Sequence, residues 1–371
     1  MERTFGSPGR YVQGYGVLNN LEKHIGRLGG TFYVIGSERR LKELKEKVSY
    51  SFHGKDARLF FEPFNGEVTA SEIDRLADRA KSIGIDVVIG LGGGKTIDCA
   101  KAVADKSGAE VVIIPTTAAT DAPTSALSII YDEQGRFEDV RTFQKSPAAV
   151  IMDTEVICKS PPRFITAGIG DALSTYFEAR ACQMTYSSNY INNGLWTMAS
   201  RAIAETCFEA LMKYGRQAVL SVENGVCTEA LERIIEANTL LSGIGFESNG
   251  IAIAHAIYDG FAALPPDMHK MYHGEYVGFG VLVQLILEAA DKELIDSIYR
   301  FSMSVNLPVT FEDMEVPGIS DEHLRTLADG ALNGSGSCKN VPFPVDARLL
   351  IDAMIMADVF GKLYKAGDSI L

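Results

Sequence analysis

The sequence predicts a two-part chain: an α/β domain over residues 1–160, then an all-helical domain over residues 161–371. Short apolar runs alternate with helical patterns through the first part, as they do where a parallel sheet is covered on both faces. One of those runs passes straight into a glycine cluster and a helix, Gly90-Leu-Gly-Gly-Gly-Lys-Thr-Ile-Asp98. After Pro161-Pro162 the β-branched runs thin out, and long Ala- and Leu-rich helical patterns take over.

Taken in order, Thr31–Gly36 reads as a buried strand, followed by a charged helix through Arg39–Lys47. Leu59–Phe64 is a second strand-like run. Ile73, Leu76, Ala77, Ala80 and Ile83 then recur at helical spacing, with Ser71 as the expected N-cap. Asp86–Leu91 is the strand that enters the glycines, and Glu110–Pro115 is a fourth. Ser125–Tyr131 and Arg136–Phe143 flank Asp132-Glu-Gln-Gly135, turn chemistry suited to a β-hairpin.

Composition narrows the function classes. The 371 residues include 35 Lys or Arg against 48 Asp or Glu, a formal net charge of −13. With 46% apolar and 22% charged residues, the chain is neither disordered nor collagen-like. Its acidic balance argues against a general nucleic-acid partner, because phosphates need a basic face. Met1–Arg10 lacks the apolar core of a signal peptide, and no run approaches the roughly 18–20 apolar residues of a membrane span. Cys99, Cys158, Cys182, Cys207, Cys227 and Cys338 are scattered with no CxxC, so reduced thiols and a cytoplasmic location are expected.

The glycine loop offers backbone access and a helix N-terminus, which together suit a phosphate group. A Walker A loop would need glycine at Ile89, and the Rossmann GxGxxG would need it at Lys95. The loop is either a tight strand–helix turn or a diphosphate cradle of another pattern, and the cradle is preferred. A second loop, Pro115–Ser125, follows the next strand, and in a parallel sheet both emerge at the carboxyl edge where ligands bind. Asp121 is the one charge in that loop, read either as a turn or cap residue or as a ligand contact.

Six histidines occur: His24, His53, His255, His269, His273 and His323. His255 lies in an apolar helical run, where an unsatisfied imidazole is costly. His273 begins another helical pattern, and Asp171 stands at the entry to a third. Two imidazoles and a carboxylate suit a catalytic divalent metal with open positions. Each residue also has a plain structural reading, since Asp171 could cap its helix and the histidines could be satisfied core residues.

The motifs together resemble glycerol dehydrogenases within the iron-containing alcohol dehydrogenase superfamily, nearly end to end. The likeness rests on Gly92–Asp98, Ile114–Ser128, Gly168–Ser174, Gly243–Ser248, Ala254–Ile257 and Tyr272–Glu275. It implies a dehydroquinate synthase-like fold, with an N-terminal dinucleotide-binding domain, a helical metal- and substrate-binding domain, and the site between them. By resemblance, Asp171, His255 and His273 hold the metal, and Gly92, Gly93, Gly94 and Lys95 hold the cofactor diphosphate. Thr116, Thr117, Ser125, Leu127 and Tyr131 map to further nicotinamide-cofactor contacts, Asp121 to the polyol substrate, and Phe246 to an aromatic beside it. A large homo-oligomer is also implied.

Three positions depart from the pattern. Thr175 stands where iron-type members carry a fourth ligand, a histidine, which points to zinc. Tyr258 replaces a histidine common in the Ala-His-Ala-Ile segment, which bears on the exact substrate. Ser37 follows the first strand where NAD-preferring members carry an acid that bonds the ribose 2′-hydroxyl and repels a 2′-phosphate. With Arg39 and Arg40 nearby, NADP joins NAD as a candidate. The expected activity is hydride transfer between a small vicinal polyol such as glycerol and a nicotinamide cofactor. The alternatives are a related enzyme acting on another small alcohol, ketone or 2-oxo acid, and a non-catalytic dinucleotide binder. A dehydroquinate synthase-type lyase would need a basic pocket, but Thr116–Ser125 and Phe246–Glu275 hold only Lys270 besides histidine.

Overall fold

The computed structural model describes residues 1–370, which fall into two compact units. The α/β unit comprises Gly6–Pro161 together with Ser221–Gly243. Its strands are β1 (Tyr11–Gly14), β2 (Thr31–Gly36), β3 (Arg58–Pro63), β4 (Val87–Gly92), β5 (Glu110–Pro115), β6 (Leu127–Tyr131), β7 (Phe137–Thr142) and β8 (Ala149–Asp153). Helices α1 (Leu21–Ile25), α2 (Glu38–Ser51), α3 (Ala70–Ile83), α4 (Gly94–Ser107) and α5 (Thr154–Cys158) complete the first stretch. Six strands pair in parallel, in the order β1-β8-β5-β4-β2-β3, and β6 and β7 form an antiparallel hairpin.

Every residue of β2, β4 and β8 is buried, as continuous apolar strands covered on both faces should be. Alternate residues Phe32, Val34, Ile89, Leu91, Val112 and Ile114 share one core with Leu41, Leu44 and Val48 of α2. The chain leaves β2 toward β3 and leaves β4 toward β5 in the opposite direction, so the order reverses between β2 and β4. Ligands of open α/β sheets bind beyond the carboxyl ends of the strands at such a reversal. Ser37 follows β2 there, and the glycine cluster follows β4.

Two details differ from the sequence expectation. Thr69, not Ser71, caps α3, its hydroxyl accepting the Glu72 N–H at 3.2 Å, while Ser71 bonds Glu133. β1 and β8 are strands the sequence does not predict, the former being only four residues long and so too short to display a period.

The remaining helices are α6 (Pro162–Thr185), α7 (Met198–Glu223), α8 (Glu229–Glu236), α9 (Ser242–Asn249), α10 (Ile253–Ala262), α11 (His273–Leu287), α12 (Lys292–Ser304), α13 (Asp321–Asn333) and α14 (Ala347–Lys365). α8 and the π-helical turn Ala237–Leu241 after it belong to the α/β unit, although the sequence places the boundary near residue 160. Gln13 donates to the Glu232 carbonyl and carboxylate at 2.8 and 2.6 Å, and the Tyr11 and Thr239 hydroxyls lie 3.1 Å apart. Their helical periodicity is continuous with the segments around them, which conceals this return to the sheet.

The helical unit holds Met1–Phe5, Pro162–Leu220 and the chain from Ile244 onward. At its centre α11 packs on α6, α10 and α14, and α10 packs on α13. α11 is buried over most of its circumference, as suits a helix that is apolar all round. α6 and α11 approach at Gly170 and Gly274. A Cβ at Gly274 would run into the Ala167 carbonyl and the Asp171 amide, and one at Gly170 into the Gly274 carbonyl. Glycine at both positions therefore lets the two backbones touch, bringing Asp171 alongside His273. Among the described residues, no helix is long and apolar enough to cross a membrane.

Candidate active site

In the α/β unit the glycines divide into two kinds. A Cβ at Gly90 would meet Ala100 at 2.7 Å and one at Gly92 would meet Thr96 at 2.6 Å, so internal packing demands both. At Gly93 and Gly94 the nearest atoms would be 4.0 and 3.7 Å away, ordinary van der Waals contact, so packing demands glycine at neither. Gly93 is the N-cap of α4 and supplies no side-chain acceptor to its first-turn amides. The chain thus leaves room for a ligand beside a helix N-terminus, where amide donors and the positive dipole end suit a diphosphate.

The side chains around it are held in place. Lys95 pairs with Glu67 at 2.6 Å, and its ammonium lies 5.5 Å over the Tyr131 ring. Thr116 is buried, its amide donating to the Gly92 carbonyl at 3.0 Å, and Thr117 is next to it in sequence. Ser37 caps α2, accepting the Arg40 N–H at 3.3 Å, while the Arg40 guanidinium is taken by Glu43 at 2.7 Å. No acid caps α2 in the place of Ser37.

Two residues missed by the sequence reading organise the following loop. Buried Lys101 donates to the Ala122 and Leu127 carbonyls at 2.6 and 2.8 Å and to the Ser125 hydroxyl at 3.3 Å. One ammonium thus gathers the segment that includes Ser125 and Leu127. Asp98, one turn earlier, accepts the Ile129 N–H at 3.3 Å; burial pushes its carboxyl up to about 6 against the pull of Lys101. A charged pair at i, i+3 within the buried Ala-rich α4 was the available signal.

Asp121 is buried and accepts the Ser242 hydroxyl at 2.7 Å. Thr124 and Asn238 tie the same loop to the π-helical turn, through the Thr239 carbonyl at 3.0 Å and the Ala118 carbonyl at 3.0 Å. Asp121 is therefore held by a side chain more than a hundred residues away in sequence, an arrangement no local turn rule could reveal.

In the helical unit, Asp171 of α6, His255 of α10 and His273 at the start of α11 each offer one ligand atom, and these lie within 4.8 Å of one another. The Asp171 carboxylate is 3.2 Å from His273 Nε2 and 3.8 Å from His255 Nε2. His255 Nδ1 meets the buried Glu178 carboxylate at 2.6 Å, which fixes the ring and turns Nε2 toward the cluster. The other Glu178 oxygen accepts the Ala252 and His255 amides at 2.7 and 3.0 Å, serving as the missing cap of α10. Glu178 was not singled out from sequence, although it lies two turns beyond Asp171 on the same helix.

Oxygen and imidazole nitrogen donors in this grouping fit a divalent cation. Asp171 is fully buried while the His273 side chain is 35% exposed, so the cluster is walled on one side and open on the other. Tyr258 stands edge-on against the His273 ring with centroids 4.2 Å apart, its phenol pushed up to about 12 by burial. Phe246 is buried against Tyr190, centroids 6.1 Å apart. Thr175 is buried one turn after Asp171, and His269 is exposed on the loop before α11, outside the cluster.

Comparison with known proteins identifies the fold and its family. The iron-containing alcohol dehydrogenase family model matches residues 8–154. Glycerol dehydrogenase of Escherichia coli O6:H1 is 42% identical over 98% of this chain and 99% of its own. Glycerol dehydrogenase of Thermotoga maritima is 43% identical, covering 96% and 97% respectively. The crystal structure of glycerol dehydrogenase from Schizosaccharomyces pombe superposes with a TM-score of 0.94 at 34% identity, over 99% of this chain and 93% of that one. Alignment from end to end at these identities, on the same two-part fold, means that the chain belongs to the glycerol dehydrogenase family of iron-containing alcohol dehydrogenases and is an alcohol dehydrogenase-like oxidoreductase.

Proposed function

We propose that this chain oxidises a small vicinal polyol, glycerol first among them, with a nicotinamide dinucleotide as hydride acceptor and one divalent cation, zinc, as its resident metal. The reading is carried by the meeting of Asp171, His255 and His273 in a chain whose full length matches glycerol dehydrogenases. When bound, the cation supplies Lewis acidity toward an alcohol oxygen and the nicotinamide supplies the hydride-accepting carbon.

The protein's own residues do the holding. Asp171 contributes the one anionic donor and the two Nε2 atoms contribute lone pairs, with Glu178 keeping the His255 proton on Nδ1. The amides at Gly93, Gly94 and Lys95 bind the diphosphate, and Thr116, Thr117, Ser125, Leu127 and Tyr131 line the remaining cofactor path. Asp121 accepts hydrogen bonds from substrate hydroxyls while Ser242 holds its carboxylate in place, and Phe246 provides an apolar wall. Thr175, in place of the fourth ligand of iron-type members, supports zinc. Ser37 without an acid supports acceptance of NADP beside NAD. A homo-oligomer belongs to the same proposal.

The test uses protein stripped by chelator, reloaded with zinc or iron, and supplied with glycerol and either NAD or NADP. Glycerol-dependent NADH or NADPH formation restored by zinc is the expected result. Loaded protein that turns over neither cofactor, in either direction, overturns the proposal.

A further inference from the structure

Both histidines of the cluster lie in first helical turns, His255 as the third residue of α10 and His273 as the first of α11. Where those helices begin therefore decides where the ring nitrogens sit. Each beginning is gripped from α6. Glu178 holds α10 through its amides, as described above. The grip on α11 comes from the other end of α6, where Arg163 makes a bidentate pair with Glu275: Nε to Oε1 at 2.6 Å and Nη2 to Oε2 at 2.8 Å.

Glu275 in turn accepts the Tyr272 N–H at 2.6 Å, closing the first turn of α11 on itself. Arg163 Nη2 also donates to the Lys270 carbonyl at 3.1 Å, and its guanidinium lies 4.9 Å over the Tyr272 ring, which Phe164 flanks at 5.1 Å. Glu275 is 4% exposed, so this is a buried carboxylate with both oxygens engaged. Arg163, Asp171 and Glu178 are eight and seven residues apart, a spacing that puts them on one stripe of α6.

We infer that Arg163 and Glu275 are positioning residues of the metal centre: they fix the first turn of α11, and with it the His273 ring, opposite Asp171, without themselves touching the metal. One face of α6 then acts as a ruler for the whole cluster, supplying a ligand at its middle and a clamp for each histidine helix at either side. This rests on the reading that Asp171, His255 and His273 hold a divalent cation. Neither residue is a donor in the cluster, so their effect passes through helix placement alone.

The experiment compares the full-length wild type with Arg163→Met, Arg163→Lys and Glu275→Gln, all stripped of metal. Zinc affinity is read by competition with a chromophoric chelator, coordination by the visible spectrum of the cobalt(II) form, and fold by thermal melting of the metal-free protein. Wild type is titrated first, and failure to take up one equivalent of cobalt overturns the metal reading itself. Given that uptake, Arg163→Met is expected to bind zinc about tenfold more weakly, with shifted cobalt bands. Arg163→Lys should recover only part of the loss, because an ammonium cannot make the bidentate pair. Glu275→Gln, which keeps an acceptor for Tyr272 but loses the ion pair, should fall between Arg163→Met and wild type, and stands in if Arg163→Met does not fold. Variants that melt earlier yet match wild type in zinc affinity and cobalt spectrum make the clamp purely structural and overturn the inference.

Discussion

The two units build the surfaces proposed to bind ligands from different material. In the α/β unit it is main chain: the first-turn amides of α4 beside Gly93 and Gly94, where a Cβ would meet neighbours no closer than 3.7 Å. In the helical unit it is side chain: one carboxylate and two imidazoles brought together from three helices. A main-chain surface should tolerate loss of most neighbouring side chains but fail where a Cβ intrudes. A side-chain surface fails when any one donor is removed, whatever happens to the backbone. The difference can be tested one residue at a time.

The largest effect is expected at a donor. His255→Ala should lower kcat by at least about a thousandfold, since two donors cannot replace three around the cation. Glu178 would keep its hold on the Ala252 and residue-255 amides, so the far-UV spectrum should be preserved. NAD affinity, measured by fluorescence titration, should stay within about twofold of wild type if the two surfaces are independent. A comparable fall in NAD affinity would show that the two surfaces are coupled.

Gly93→Val is the mirror experiment. Gly93 has φ −94° and ψ −170°, which any residue can adopt, and a Cβ there would meet nothing closer than Thr117 Oγ1 at 4.0 Å. The melting temperature should hold within a degree or two, or rise slightly because the unfolded chain loses freedom. NAD affinity should nevertheless fall about a hundredfold, because the valine branches would crowd the α4 amides proposed to hold the diphosphate, while zinc uptake stays unchanged. Unaltered NAD binding would mean that the diphosphate lies elsewhere and that the glycines serve the turn alone.

The same contrast explains what could be read from sequence. Periodicity and the glycine cluster reveal the α/β sheet because a parallel strand, a turn and a helix are each written in adjacent residues. The hairpin between β6 and β7 is legible for the same reason, since Asp132-Glu-Gln-Gly135 carries its own turn chemistry. His255 and His273 stand out as two of only six histidines and Asp171 by its place in Gly168-Ile-Gly-Asp171; their donor chemistry suggests a ligand set, and the family resemblance rather than any spacing supports it. What sequence did not disclose are the residues acting across the fold. Glu178 reaches 77 residues to His255, Ser242 reaches 121 to Asp121, and the α8 segment returns to the sheet through Gln13 and Tyr11. Each depends on tertiary placement of a long helix, and a helical period does not say which sheet or helix it will meet.

Glu178→Gln separates, within the helical unit, the orientation of a donor from its presence. The amide keeps one oxygen for the Ala252 and His255 N–H groups, so α10 should stay capped and the protein folded. The NH2 group now faces Nδ1, donating where the carboxylate accepted, and the favoured tautomer carries its proton on Nε2, the atom turned toward the cluster. Zinc affinity should fall about 10–100-fold with little change in melting temperature. Equal losses of zinc affinity and stability would instead mark Glu178 as a cap whose contact with the ring is incidental.

The smallest effect is expected at Ser37, where the main-chain surface meets a single side chain. Its hydroxyl caps α2, a role that aspartate performs as well, so Ser37→Asp should leave stability unchanged within about 0.5 kcal/mol. A carboxylate at the end of β2 would accept a ribose 2′-hydroxyl and repel a 2′-phosphate, the latter only partly offset by exposed Arg39. The ratio of kcat/KM for NAD over NADP should therefore rise about tenfold, chiefly through a higher KM for NADP, with kcat on NAD nearly constant. Arg40 is already committed to Glu43 and contributes little to either cofactor, so Arg40→Ala should move the ratio less than Arg39→Ala. A ratio unmoved by all three substitutions would place the adenosine ribose away from the end of β2. It would also remove Ser37 from the cofactor path while leaving the glycine cradle and the metal cluster untouched, since neither depends on that hydroxyl.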